Sequence, residues 1–201
     1  MVETKITGQE IIRFYGKEMY GEKFRLIDPD LTDCYKSVYG RLVDLNQKKA
    51  KKGVLVIGNV GVGKTAMMKI MQRAFKRTET AFKSVNSYQL RDMSENLTIG
   101  EIKAIYGADL KMDLYIDDIG VFSDVKRYGN TVNIIGEIIM ERYDLFIASG
   151  YRTHLSSNLM TDIKDNVKNI PTIKSVFGAR VLDRIKEMND IFIFKGSSKR
   201  K

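Results

Sequence analysis

The stretch Val54-Leu55-Val56-Ile57-Gly58-Asn59-Val60-Gly61-Val62-Gly63-Lys64-Thr65 sets the fold. Its first four residues form a continuous, largely β-branched run between Gly53 and Gly58, the composition of a strand buried on both faces. Residues 58–65 then fit Gly-x-x-x-x-Gly-Lys-[Ser/Thr] completely. From average composition, a chance match in about 200 residues has odds of roughly one in a hundred. Residues 64–76 follow with Met67, Met68, Ile70, Met71 and Phe75 at helical spacing; the methionines read as core filling. Strand, glycine loop, helix is the arrangement a phosphate-binding loop requires. Glycines let backbone N–H groups approach phosphates closely, and the helix N-terminus adds partial positive charge. Gly58, Asn59, Val60, Gly61, Val62, Gly63, Lys64 and Thr65 are therefore the expected nucleotide-binding residues. Lys64 is expected to reach the β- and γ-phosphates of ATP, and the Thr65 hydroxyl to ligate Mg²⁺.

A phosphate loop of this kind needs an acidic partner on a neighbouring strand. Leu114-Tyr115-Ile116 reads as a buried strand that ends in Asp117-Asp118. Asp117 is placed to hold Mg²⁺ through water. Asp118 is placed to polarise an attacking water as general base, or else to cap the loop. Paired carboxylates suit hydrolysis by water better than transfer to a bound acceptor.

Further elements follow from pattern. Residues 31–47 carry Leu31, Tyr35, Val38, Tyr39, Leu42, Val43 and Leu45 at helical spacing. Strands are predicted at 81–85, 153–157 and 191–194, and helices at 88–106, 130–147 and 173–187. Strands alternating with helices predict an α/β fold: a three-layer α/β/α P-loop NTPase on a parallel sheet. Residues 1–30 form an N-terminal arm, either a short helix docked on the core or a partner-binding segment, and 31–201 form the ATPase domain.

The bulk numbers agree. The chain has 201 residues, 43% of them hydrophobic, enough for one well-buried domain. No apolar run approaches the roughly 20 residues of a membrane span, so no membrane partner is expected. The single cysteine, Cys34, excludes a disulfide framework and predicts a cytoplasmic setting. The net charge of +9 favours a polyanion partner, chiefly nucleic acid. Positive charge gathers at Lys48, Lys49, Lys51 and Lys52, and again at Lys195, Lys199, Arg200 and Lys201. Lys83, Arg91 and Lys103 are expected to supply part of the contact.

The succession of motifs resembles a family. After the P-loop come Asp117-Asp118-Ile119-Gly120, then Thr153-His154-Leu155-Ser156-Ser157-Asn158-Leu159, then Gly178-Ala179-Arg180-Val181-Leu182-Asp183-Arg184. Over residues 35–200 this is similar to AAA+ ATPases of the DnaC/IstB type, which are helicase loaders and transposition helpers. The resemblance implies a sensor role for Asn158, beside the γ-phosphate. It implies that Arg184, assisted by Arg180, acts as an arginine finger on a neighbouring subunit's ATP. A pairing of these arginines with Asp183 or Glu187 is the alternative. It also implies self-association through ATP at subunit interfaces, single-stranded DNA binding and a replicative helicase as partner. The chain departs from the pattern in having only about fifty residues before the P-loop, no room for a separate C-terminal lid domain, and Asp118 where many relatives carry Glu. His154 is expected to be structural. The expected function is thus an ATP-hydrolysing, DnaC-like helicase loader. The alternatives are a transposition helper, a P-loop small-molecule kinase, or an ATP-binding switch with negligible turnover.

Overall fold

The computed structural model describes residues 7–22, 24, 29–121, 124–127, 130–162 and 171–194, with the backbone alone for 30, 124–127 and 130. Five parallel strands form the sheet: β1 (Gly53–Gly58), β2 (Phe82–Asn86), β3 (Asp113–Ile119), β6 (Thr153–Ser157) and β7 (Asn189–Phe194), in the order β2-β3-β6-β1-β7. The phosphate-loop strand β1 thus lies between β6 and β7, and β6 separates it from the Asp117 strand β3.

The alternation along β1 divides the core in two. Val54 and Val56 face a layer made by α1 (Gly8–Tyr20), α2 (Pro29–Asn46) and α3 (Lys64–Ala74), packed through Ile12, Tyr35, Leu42, Met67 and Met71. Leu55 and Ile57 face the other layer, made by α4 (Ser87–Asn96), α5 (Ile99–Tyr106), α6 (Ile134–Ser149) and α7 (Ile173–Met188), packed through Leu90, Ile102, Ile138 and Ile185. The expected three-layer α/β/α architecture with a parallel sheet is the one observed. After α7 the chain returns directly to the sheet as β7.

Two expected helices end differently. The predicted helix 88–106 is two helices, because Thr98 starts a second one. Its side chain accepts from Glu101 N while Glu101 accepts from the Thr98 backbone, a capping box that pre-empts continuation. The predicted helix 130–147 begins only at Ile134. Residues 130–133 are instead strand β5 (Asn130–Asn133), paired antiparallel with β4 (Asp124–Arg127). Asn133 then caps α6 by accepting from Gly136 N at 2.8 Å.

The N-terminal segment packs on the body: Ile12 is fully buried, and Thr7 and Glu10 form a capping box at the start of α1. The basic residues Lys195, Lys199, Arg200 and Lys201 lie outside the described residues, as do 1–6, 23 and 25–28 of the arm.

Candidate active site

The loop after β1 is shaped by its glycines. Gly61 and Gly63 have φ of +84° and +101°, the left-handed region that side chains disfavour. At Gly58 a Cβ would come within 2.7 Å of Phe194 Cβ and 2.9 Å of its carbonyl, so β1 and β7 approach this closely only with glycine there. Gly63 opens α3 with no side-chain cap. The first N–H groups of that helix are thus left for an anion. Lys64 is 6% exposed, and its ammonium donates to the carbonyls of Gly58 at 2.7 Å and Asn59 at 3.1 Å. The loop is held by the cation that is expected to meet the phosphates. Val60, Gly61, Gly63, Lys64, Thr65, Ala66 and Asp118 line a cavity of about 200 Å³.

Thr65 and Asp117 meet across 52 residues of sequence: the Thr65 hydroxyl lies 2.9 Å from Asp117 Oδ2 and 3.1 Å from Oδ1. The rest of the carboxylate is held from behind. Tyr115 precedes Asp117 by two residues, so its side chain lies on the same face of β3. Its hydroxyl donates to Oδ1, and Ser156 on β6 donates to the same oxygen at 2.6 Å. Oδ1 is therefore held by two donors from behind, and Oδ2 faces Thr65. Burial, and then the neighbouring Asp117 carboxylate, push the Tyr115 phenol well up, so it stays a donor.

Asp118 owes its position to a break in the ladder. The β3–β6 register shifts between Ile116 and Ile119, and Asp118 has φ of +59°. A bulge re-aims side chains in this way. Three contacts hold the strained residue: Ser156 Oγ accepts from Asp118 N at 2.9 Å, and Ser87 Oγ donates to the carbonyl of Asp118 at 2.6 Å and to that of Asp117 at 3.3 Å. Asn158 directly follows β6, whose last residue Ser157 pairs with Ile57 and Ile119. It therefore sits between the phosphate loop and Asp118 at the C-terminal edge of the sheet, where open α/β sheets bind ligands. Its Oδ1 is buried without a hydrogen-bond partner among the described residues.

These residues fit a magnesium nucleotide. Among the described residues no trio of His, Cys, Asp and Glu could hold a metal. Mg²⁺ needs none, since one carboxylate and one hydroxyl suffice when phosphates and waters complete its shell.

The arginines lie apart from this cluster. Gly178, with φ of +83°, breaks α7, and both Arg180 and Arg184 follow the break. The Arg184 guanidinium lies 4.1 Å over the Tyr143 ring and donates to the Tyr143 hydroxyl at 3.0 Å and to Glu187 at 3.2 Å. It is clamped within its own chain. Arg180 is exposed, with no ion pair to a described residue.

Sequence reasoning missed Tyr115, Ser156 and Ser87 as supports, and also Tyr20. Burial, and secondarily the Asp117 carboxylate, raise the Tyr20 phenol. His154 is structural: Nδ1 accepts from Val54 N at 3.2 Å, and burial holds the ring neutral down to about 3. Its 3.9 Å approach to Asp113 is therefore not an ion pair.

No protein-family profile and no curated protein sequence matches the chain. Solved structures do. The chain is similar to a DnaC helicase loader at 16% identity and a TM-score of 0.57, covering 87% of this chain and 95% of that one. It is similar to DnaI at 20% identity and 0.56, covering 96% and 93%. It is also similar to AMPPCP-bound DnaA from Aquifex aeolicus at 14% and 0.59, covering 85% of this chain and 48% of that one. No described helix is long and apolar enough to cross a membrane. With its phosphate loop, parallel sheet and strand order, the chain has the three-layer P-loop fold that it shares with these structures.

Proposed function

We propose that this chain is a Mg²⁺-dependent ATPase that serves DNA replication as a helicase-loader-like factor. The observation that carries the reading is the contact of Thr65 with Asp117 beneath a glycine loop whose buried Lys64 faces the same cavity as Asp118. Lys64 and the loop N–H groups hold the phosphates. Thr65 and Asp117 hold Mg²⁺, which offsets charge on the phosphates. Asp118 takes a proton from the attacking water, and Asn158 Oδ1 accepts a hydrogen bond from the same water and orients it. A protein acting on nucleic acid accords with the charge of +9. The replicative helicase as partner, single-stranded DNA, the cytoplasmic setting and self-association through ATP rest on likeness to the loaders. So does the N-terminal arm as partner-binding segment, though its Phe14 is 65% exposed.

A second reading, an ATP-binding switch with little turnover alone, has one observation in its favour. Arg184 must release Tyr143 and Glu187 before it can reach another subunit's nucleotide. Phosphate-release assays decide between the two. ATPase action predicts turnover that single-stranded DNA or self-association stimulates and that Asp118→Asn abolishes with ATP binding intact. No turnover under any of these conditions refutes it and leaves the switch.

A further inference from the structure

A row of cations lies at the end of α3 remote from the phosphate loop. Lys69 and Arg73 stand one turn apart on the helix, Lys76 and Arg77 follow in the turn after it, and all four are exposed. The helix axis places Arg73 about 15 Å from the loop. None of the four is ion-paired to a described residue. Two adjoining cavities, of about 410 and 370 Å³, share Arg73 and Lys76. Tyr15 and Met19 of α1, with Phe82 and Met112, give this groove apolar surface, and no carboxylate among the described residues lines either part.

A solvated helix face does not account for this. The C-terminal dipole of α3 amounts to roughly half a negative charge, which one cation offsets. Four cations with no described carboxylate lining the groove leave a strong positive field. The face suggested by sequence is different, because Lys103 is bonded to Glu141 at 2.9 Å and Glu137 at 3.4 Å. Lys83 there lies 4.6 Å over the Tyr106 ring. The basic track also continues. Lys48 pairs with Glu79, two residues past Arg77, at 3.4 Å. Lys48 and Lys51 line a further cavity of about 620 Å³ beside Phe146 and Ile147, again with no carboxylate among the described lining residues.

We infer that the groove at the end of α3 binds single-stranded nucleic acid, with phosphates on Lys69, Arg73, Lys76 and Arg77 and bases against Tyr15 and the apolar floor. This rests on reading the chain as an ATPase that acts on nucleic acid. A single strand offers charge and unpaired rings together. A duplex hides its bases and leaves the floor unfilled, and an acidic peptide brings charge without flat rings.

The test is the anisotropy of a labelled 20-nucleotide oligo-dT between 50 and 300 mM salt. Four phosphate contacts predict a log–log slope of about −2.8. The Arg73→Ala/Lys76→Ala pair is expected to bring the slope to about −1.4 and to weaken binding about 25-fold at 0.1 M salt. Lys103→Ala is expected to leave both unchanged, and an unchanged melting temperature checks folding. If the pair variant keeps the wild-type slope while the wild type binds, the groove assignment is overturned and the nucleic-acid reading survives. Absence of any oligo-dT binding by the wild type overturns that reading itself. Tighter binding of polyglutamate, or of a duplex of equal length, overturns the single-strand assignment.

Discussion

Replacing Tyr115 by Phe deletes one hydroxyl from a fully buried side chain and leaves its ring packing in place. The loss falls on Asp117. Oδ1 keeps the 2.6 Å bond from Ser156 and the 3.1 Å approach of Thr65 but loses its bond from Tyr115, and the carboxylate gains freedom to turn away from Thr65. A hydrogen bond to a charged group contributes about 1.5–3 kcal/mol. Removing partners of a metal ligand from behind typically costs about 10–100-fold in metal affinity. We expect Tyr115→Phe to raise the Mg²⁺ concentration that half-saturates binding of a fluorescent ATP analogue about tenfold. Ser156→Ala should reach about 100-fold, because it also strips the acceptor from Asp118 N. Ser156→Thr keeps the hydroxyl and should restore the wild-type Mg²⁺ dependence. Binding of the analogue without Mg²⁺ should be the same in all variants, which separates orientation of Asp117 from general loosening. Asp117→Asn is the reference. If it abolishes the Mg²⁺ effect while Tyr115→Phe and Ser156→Ala leave it at the wild-type midpoint, the reasoning about Oδ1 is wrong.

Arg142 is fully buried and donates to Thr153 Oγ1 and to the carbonyls of Gly107, Leu110, Met112 and Arg152. Arg142→Met leaves these acceptors unpaired and should cost about 3–5 kcal/mol, seen as a melting temperature lower by about 6–20 °C. His154 stays neutral down to about 3 when folded, while an unfolded chain protonates it near 6.5, so stability is full above 6.5 and falls as pH drops below it. Urea titrations at pH 7 and 5 should differ by about 1–2 kcal/mol from this residue. Asp113, whose carboxyl burial raises, works in the opposite direction, and His154→Asn should flatten the decline. For the finger, Lys64→Ala and Arg184→Ala should each be nearly inactive, a trans arginine contributing about 10³-fold or more, and mixing them should restore partial turnover. A mixture as inactive as its components, with rescue appearing only when Arg180→Ala replaces Arg184→Ala, would move the finger to the exposed Arg180.

The parts of the site that were legible in sequence depend on local chemistry. The glycine loop carries its own backbone requirement and the acid pair ends an apolar run, and the fold brings Lys64, Thr65, Asp117 and Asp118 together. The supports were not legible because non-local partners define them. Tyr115 reads as one more apolar strand residue until β6 brings Ser156 to 3.0 Å from its hydroxyl. Arg142 reads as the polar side of a helix until the start of β6 and the turn before β3 offer it carbonyls. The break between α4 and α5 was readable in Thr98-Leu97 and Glu101, and periodicity hid it, since apolar residues recur on both sides. The β4–β5 pair has only four residues per strand, too few for alternation to stand out against the helix that follows.

The most direct test of the central claim is a calorimetric titration of ATP, with and without Mg²⁺, into the wild type and Lys64→Ala. A buried ammonium that meets the phosphates at the head of α3 predicts one ATP per wild-type chain, bound more tightly with Mg²⁺, and no measurable heat for Lys64→Ala. Equal binding by both proteins, or none by the wild type, would contradict it.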